Sequence, residues 1–252
     1  MKDLVFVIYD AFGDWISANG MIRHLSEEYD RIFLVHDTPF VVPFTTDMFK
    51  DNPKVIPMEG SVVPGSECDV IDLRIGETYP NPGNLGTYYN HSNKFYDIKF
   101  EELNNNAAMF YIDLGIDPHY RISKFDYVRD HDKENELMCD DDYAIICEME
   151  NGMIDRKHIK EDKVINLHRL TDNFMHTIKL IENAKEVHLI ENSVSLFVYH
   201  MQCAGKMDST PINLHAYARK ESHRKCDGPN CDNKFLNMLK YPQLENWNFI
   251  WQ

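Results

Sequence analysis

Residues 186–200, Glu-Val-His-Leu-Ile-Glu-Asn-Ser-Val-Ser-Leu-Phe-Val-Tyr-His, restrict the possible folds more than any other stretch of this chain. Val187, Leu189 and Ile190 read as a short buried strand, and Leu196, Phe197, Val198 and Tyr199 as the apolar side of a helix. The residues between them, Glu191 to Ser195, include no Gly or Pro, so the strand passes straight into the helix. Asn192 or Ser193 is a good N-cap, whose side chain would satisfy an orphan amide of the first turn. A parallel strand that turns directly into a helix puts N–H groups and the positive dipole end at the carboxyl edge of a sheet, a ready place for a phosphate or diphosphate. Ser193 and Ser195 can add hydroxyl donors, and Glu191 can accept from a ribose. The plainer reading is an ordinary capped helix in an α/β domain.

The same rhythm begins the chain. Residues 4–9 are a continuous apolar run, the pattern of a central parallel strand. The loop Asp10-Ala11-Phe12-Gly13-Asp14 follows, then a predicted helix from about Trp15 to Tyr29 with Ile16, Met21, Ile22 and Leu25 inward, then a strand at 31–35. Strand, loop, helix, strand is one βαβ unit, although the loop lacks the G-x-G-x-x-G spacing of a dinucleotide site. A helix near Thr45–Asp51 and strands at Lys54–Pro57 and Asp69–Leu73 come next. Residues 77–96 read as a loop carrying Tyr79, Tyr88, Tyr89 and Tyr96, suited to sugar contacts and equally to an ordinary surface loop. A helix over 98–114 ends at Gly115-Ile116-Asp117-Pro118. After an extended stretch at 125–130 and a charged helix from Asp130 to Met138, the alternation restarts. Strands are predicted at Tyr143–Cys147, Lys163–Leu167, Val187–Ile190 and Pro211–His215. Helices are predicted at 171–183, capped by Thr171 or Asp172, at 194–204, and at Phe235–Leu239. The predicted fold is therefore α/β: two Rossmann-like domains with mainly parallel sheets, residues 1–120 and 121–252, meeting near 115–140, with a ligand in the cleft between them.

Composition narrows the function. The net charge of −15 argues against a general nucleic-acid binder, which needs a basic face. No apolar run approaches the ~20 residues of a membrane span, and the first strand is too soon polar for a signal peptide, so a cytoplasmic protein is expected. The six cysteines are scattered and read as reduced thiols. His223-x-x-Cys226-x4-Cys231, with His215 as the nearest further ligand, could hold zinc, but a polar loop with two thiols explains it as well. No metal is expected.

Several short motifs, spread in order over nearly the whole chain, carry a resemblance. They are Gly13-Asp14-Trp15-Ile16-Ser17-Ala18-Asn19-Gly20-Met21-Ile22-Arg23-His24-Leu25, Lys94-Phe95-Tyr96-Asp97, Tyr127-Val128-Arg129-Asp130, Ile181-Glu182-Asn183-Ala184-Lys185-Glu186 and Trp247-Asn248-Phe249-Ile250. Together they resemble the small glycosyltransferases encoded by large DNA viruses and some phages. The Gly13-Asp14 pair also resembles the glycine-aspartate loop of bacterial heptosyltransferases, in which the Asp is the proposed base. The resemblance implies a GT-B architecture and transfer of a sugar from a GDP- or UDP-linked donor to a glycan or other hydroxyl acceptor, without a metal. It implies a donor held by the C-terminal domain at Glu191, Asn192, Ser193 and Ser195, and an acceptor held by N-terminal residues, with Gly13, Trp15, Tyr88 and Tyr89 as candidates.

The chemistry of that reaction selects further residues. Negative charge develops on the β-phosphate of the leaving nucleoside diphosphate, and without metal, helix amides and Arg or Lys must stabilise it. Arg129 and Arg169, with Lys163 behind them, are the candidates; each could equally be a surface charge. The acceptor hydroxyl needs a base, Asp14 first and Asp10 second, and Asp14 could instead be a helix N-cap. His168 and His215, at strand ends, could touch phosphate or be structural. Two rivals stand: a non-catalytic Rossmann-like nucleotide-binding or scaffold protein, and an epimerase, which the missing glycine fingerprint weakens.

Overall fold

The computed structural model of the protein describes residues 2–60, 68–74, 110–111, 114–148, 153–215 and 245–250, and the backbone of 85–90. The chain divides into two compact units, Met1–Val128 and Arg129–Gln252, each an α/β unit built on a parallel sheet.

The first unit begins with β1 (Asp3–Val7), whose five residues are all buried, as a strand covered on both faces must be. Helix α1 (Phe12–Leu25) follows, then β2 (Arg31–His36), α2 (Val41–Met48), β3 (Val55–Glu59), β4 (Cys68–Asp72) and β5 (Leu85–Asn90). The sheet order is β3-β2-β1-β4-β5, and every pairing is parallel. The chain therefore runs outward from β1 to β3 and then crosses back to β4, so its direction of winding reverses between β1 and β4. Ligands of doubly wound sheets bind outside the carboxyl ends of the strands at such a reversal.

Helix α1 is clamped by later chain. The Tyr111 hydroxyl donates to the Ser17 carbonyl and accepts from the Met21 amide. The short helix α3 (Tyr120–Ser123) crosses α1 at Gly20, where any β-carbon would collide with the Tyr120 carbonyl. The Asn19 amide and the Arg23 guanidinium both donate to the Asp126 carbonyl. These bonds bind residues 121–128 to the first unit.

The second unit comprises α4 (His131–Glu136), β6 (Ala144–Cys147), β7 (Val164–Asn166), α5 (Ile178–Glu182), β8 (Glu186–Leu189), α6 (Ser193–Cys203), β9 (Ile212–His215) and β10 (Trp247–Ile250). Its order is β10-β9-β8-β6-β7, again with parallel pairings throughout. Here the reversal lies between β6 and β8.

Several expected elements differ. The stretch read as a loop over 77–96 includes β5, whose Leu-Gly-Thr-Tyr-Tyr-Asn sequence has β-branched and aromatic residues that suit a strand. The first helix begins three residues earlier, at Phe12, and ends at Leu25. The second covers Val41–Met48 rather than Thr45–Asp51; Pro43 sits in its first turn, where a missing N–H breaks no bond. The helix expected over 171–183 is a 3₁₀ turn, Phe174–Thr177, running into the short α5. Its cap is Asn173, which accepts from the Met175 amide, and not Thr171 or Asp172. The Phe235–Leu239 helix lies outside the described residues, as does nearly all of the 98–114 helix. No helix among the described residues is long and apolar enough to cross a membrane.

Candidate functional site

At the carboxyl edge of the first sheet, buried polar side chains gather around the β1/β4 reversal. Asp10 accepts from His36 Nδ1 at 3.0 Å and from the Thr38 amide at 2.7 Å. That arrangement puts the proton of a neutral His36 on Nδ1 and leaves Nε2 to accept from the Thr45 hydroxyl, 2.9 Å away. His36 and Thr45 are fully buried. Burial alone would raise the Asp10 carboxyl, but the contacts to His36 and the Thr38 amide outweigh it and hold the group below its ordinary range. A second network sits one strand over. Arg74 donates through Nε and Nη2 to both oxygens of buried Asp72, and through Nη1 to Asp37, which is 72% exposed.

Asp14 behaves differently. It lies in the first turn of α1, whose N-cap, Ala11, makes no side-chain cap bond. Asp14 is therefore inside the helix and not its cap. Its carboxyl is partly buried, no described residue donates to it, and burial pushes it up to about 6. Gly13 is an ordinary helical position beside it. Trp15, expected against the acceptor, is fully buried, its ring 4.5 Å from His36 and 6.2 Å from Phe6; its apolar bulk serves the core. Tyr88 and Tyr89 contribute backbone to β5 opposite Val70 and Ile71, and their side chains lie outside the described residues.

In the second unit, the strand-to-helix turn forms as the sequence predicts, but its donors are already engaged. Asn192 Oδ1 accepts from the amides of Val194 and Ser195, and Ser195 Oγ accepts from the Asn192 amide and donates to its carbonyl. This capping box satisfies amides that an anion would need. Ser193 keeps its hydroxyl and its amide clear of described partners. Glu191 stands half-buried at the start of the turn. Asn192 Nδ2 also reaches Cys147 Sγ at the end of β6, 3.1 Å away, and burial raises that thiol to about 11, so it is an inert packing group.

The expected cations divide sharply. Arg129 is held by Glu134 and Glu182, each bidentate, with all its contacts between 2.7 and 3.1 Å. Two carboxylates face its charge and take four of its five N–H donors, so it ties α4 to α5. Arg169 is exposed in a 3₁₀ turn, Leu167–Arg169, beyond the carboxyl end of β7, with His168 exposed beside it. Lys163 is an exposed residue paired with Asp141. His215 is buried at the end of β9, 2.9 Å from His188, which in turn meets Glu186. Burial, helped by His188 and His158, lowers His215 to about 4, so it is a neutral core group. His223, Cys226 and Cys231 lie outside the described residues, and among the described residues no three His, Cys, Asp or Glu side chains could hold a metal.

Two features of these edges carry no recognisable motif in the sequence. One is the Asp10–His36–Thr45 chain, in which His36 ends β2; its signal was a polar residue closing an apolar strand. The other is Glu148, the residue after β6, which is buried and accepts from the Ile154 amide and from Arg156 Nη2, both at 2.8 Å. The first carboxyl edge carries Asp10, Asp14, Asp37 and Asp72, the last two paired with Arg74; in the second, Arg156, Lys157 and Arg169 follow β6 and β7, with Arg156 paired to Glu148 and Lys157 to Asp155. No protein-family model matches this chain and no curated protein matches it, so the function is read from these two sheet edges.

Proposed function

We propose that the protein is a metal-independent glycosyltransferase of the GT-B type, which moves a sugar from a GDP- or UDP-linked donor to a hydroxyl of a glycan acceptor. The observation that carries this reading is Asp14: a partly buried carboxyl with no described donor, at the carboxyl edge of β1, held near a pKa of 6. Such a group is ionised at neutral pH and is a stronger base than an ordinary carboxylate, as general-base removal of a hydroxyl proton requires. Asp10, the other candidate, is tied to His36 and the Thr38 amide and is the weaker base. Phe40, exposed and edge-on to Phe12, offers an apolar face for a sugar ring on the same unit. The donor diphosphate belongs on the second unit, where the Ser193 hydroxyl and amide and the exposed cations suit a dianion and the acidic first edge does not.

Thermal shift with GDP, UDP, dTDP and CMP derivatives tests the donor side. A ligand at 100-fold its Kd adds about 2.7 kcal/mol. Absence of a shift with every nucleotide would reject the reading. One observation favours the non-catalytic alternative: the Asn192 capping box already fills the α6 amides, as an ordinary structural helix start does. Slow hydrolysis of a bound nucleotide sugar separates the two, since a scaffold has no reason to cleave its ligand.

A further inference from the structure

We infer that Arg156, held in place by Glu148, is the residue that takes the diphosphate of the donor in the second unit. This rests on the transferase reading, and it names the cation which that reading otherwise lacks within the 191–195 turn. Two observations bring residues 154–156 to the β6/β8 reversal. Ile154 packs in one apolar cluster with Ile146 of β6 and Ile190, the residue just before Glu191. The Ile154 amide donates to Glu148 Oε1, and Arg156 Nη2 donates to Glu148 Oε2. One buried carboxylate thus fixes both the backbone and the guanidinium of this segment at the carboxyl end of β6, and Ile154 packs it against Ile190.

The other described arginines of the unit lack this combination. Arg129 is held between two carboxylates, and Arg169 is open but has no described anchor. Arg156 is anchored through Nη2 alone, with Glu148 its sole acceptor among the described residues, and its side chain is 52% exposed. The remaining N–H donors form the planar fork that binds two phosphate oxygens at once. Both Glu148 oxygens already accept bonds, so that carboxylate is turned toward its donors. If the α-phosphate is taken at Ser193, a monophosphate lacks the second phosphate that the Arg156 fork would hold.

Calorimetric titration of the full chain with GDP, UDP, GMP and UMP tests this. Arg156→Ala should weaken the diphosphate that the wild type binds by about tenfold or more and leave the matching monophosphate nearly unchanged. Arg156→Lys, which keeps the charge but loses the fork, should recover only part of that loss. Retained monophosphate binding also shows that the variant is folded. Equal diphosphate affinity in Arg156→Ala and wild type overturns the inference while the transferase reading stands. Equal loss of mono- and diphosphate also overturns it and makes Arg156 a structural residue. Failure of the wild type to bind either diphosphate rejects the transferase reading, and this inference with it.

Discussion

The two units share a doubly wound parallel sheet but wind it differently. The first has three strands on one side of its reversal and two on the other, β3-β2-β1 and β4-β5; the second has two and three, β7-β6 and β8-β9-β10. As a result, α1 leaves the reversal directly after the first strand of its unit, whereas α6 leaves it after the third. The two helix starts are also finished in opposite ways. The α6 start is closed by a complete capping box, while the α1 start has no side-chain cap and carries an acid with no described partner. A closed start maximises local stability. An open start leaves a titratable group available, which is what a site for chemistry needs.

The sharpest way to break this comparison is through the core of the first unit. Gly20→Ala should destabilise the protein by about 3 kcal/mol or more, because its β-carbon meets backbone at Tyr120 and cannot be accommodated by a side-chain rotation. Denaturant unfolding reads this out, and a loss under 1 kcal/mol would mean α3 does not cross α1 so closely. Next in size is Asp14→Asn. If the open start is catalytic, turnover with the true acceptor should fall by ~100-fold, about 2.7 kcal/mol of barrier, although the variant is no less stable than wild type at neutral pH. Wild-type activity should rise as pH climbs through about 6, when Asp14 loses its proton. Full turnover in Asp14→Asn would remove its catalytic role.

The pH dependence of stability sharpens the contrast, because the two units respond with opposite sign. Asp14 is raised above its unfolded value of about 4, so its favourable contribution is present at low pH and lost as pH rises through about 6. Asp14→Asn should therefore gain stability over wild type above pH 6, on the order of 2 kcal/mol, and gain nothing below pH 4. His215 is lowered to about 4 from an ordinary value near 6.5, and His188 is lowered too. Their contribution is present above about 6.5 and is lost as pH falls toward 4. His215→Gln should flatten that acid limb of the melting curve, and an unchanged limb would mean the His188–His215 pair is not buried neutral. The smallest effect belongs to the cap. Asn192→Ala should cost about 1 kcal/mol of stability, with Asn192→Asp near neutral. A loss of nucleotide binding in Asn192→Ala larger than that would make the capping box part of the ligand site as well.

Much of the fold was legible because it follows local rules. Continuous apolar runs at 4–8 and 144–147 mark strands buried on both faces, and their spacing with helical stretches implies crossovers and parallel pairing. The direct strand-to-helix turn at 191–195 was legible for the same reason, since Asn192 bonds amides only two and three residues away. Element ends were less so. Helix α1 begins at Phe12 without a capping side chain, and α2 begins through a proline, so neither start carries the usual polar mark.

Charge pairing was not legible at all. Arg129 and Arg156 are both isolated arginines in the sequence, yet one is neutralised by Glu134 and Glu182 and the other stands half-exposed on a single anchor. Asp10 and Asp14 are four residues apart and similar in composition of surroundings, yet one lies below its ordinary range and the other near 6. Sequence alone determined the alternation of strands and helices, because periodicity and capping act over a few residues. Only the tertiary structure decided which acid is paired and which cation is open. Those outcomes depend on desolvation and on partners brought from 26 residues away for Asp10 and His36, and 53 for Arg129 and Glu182, by the order in which the strands are wound.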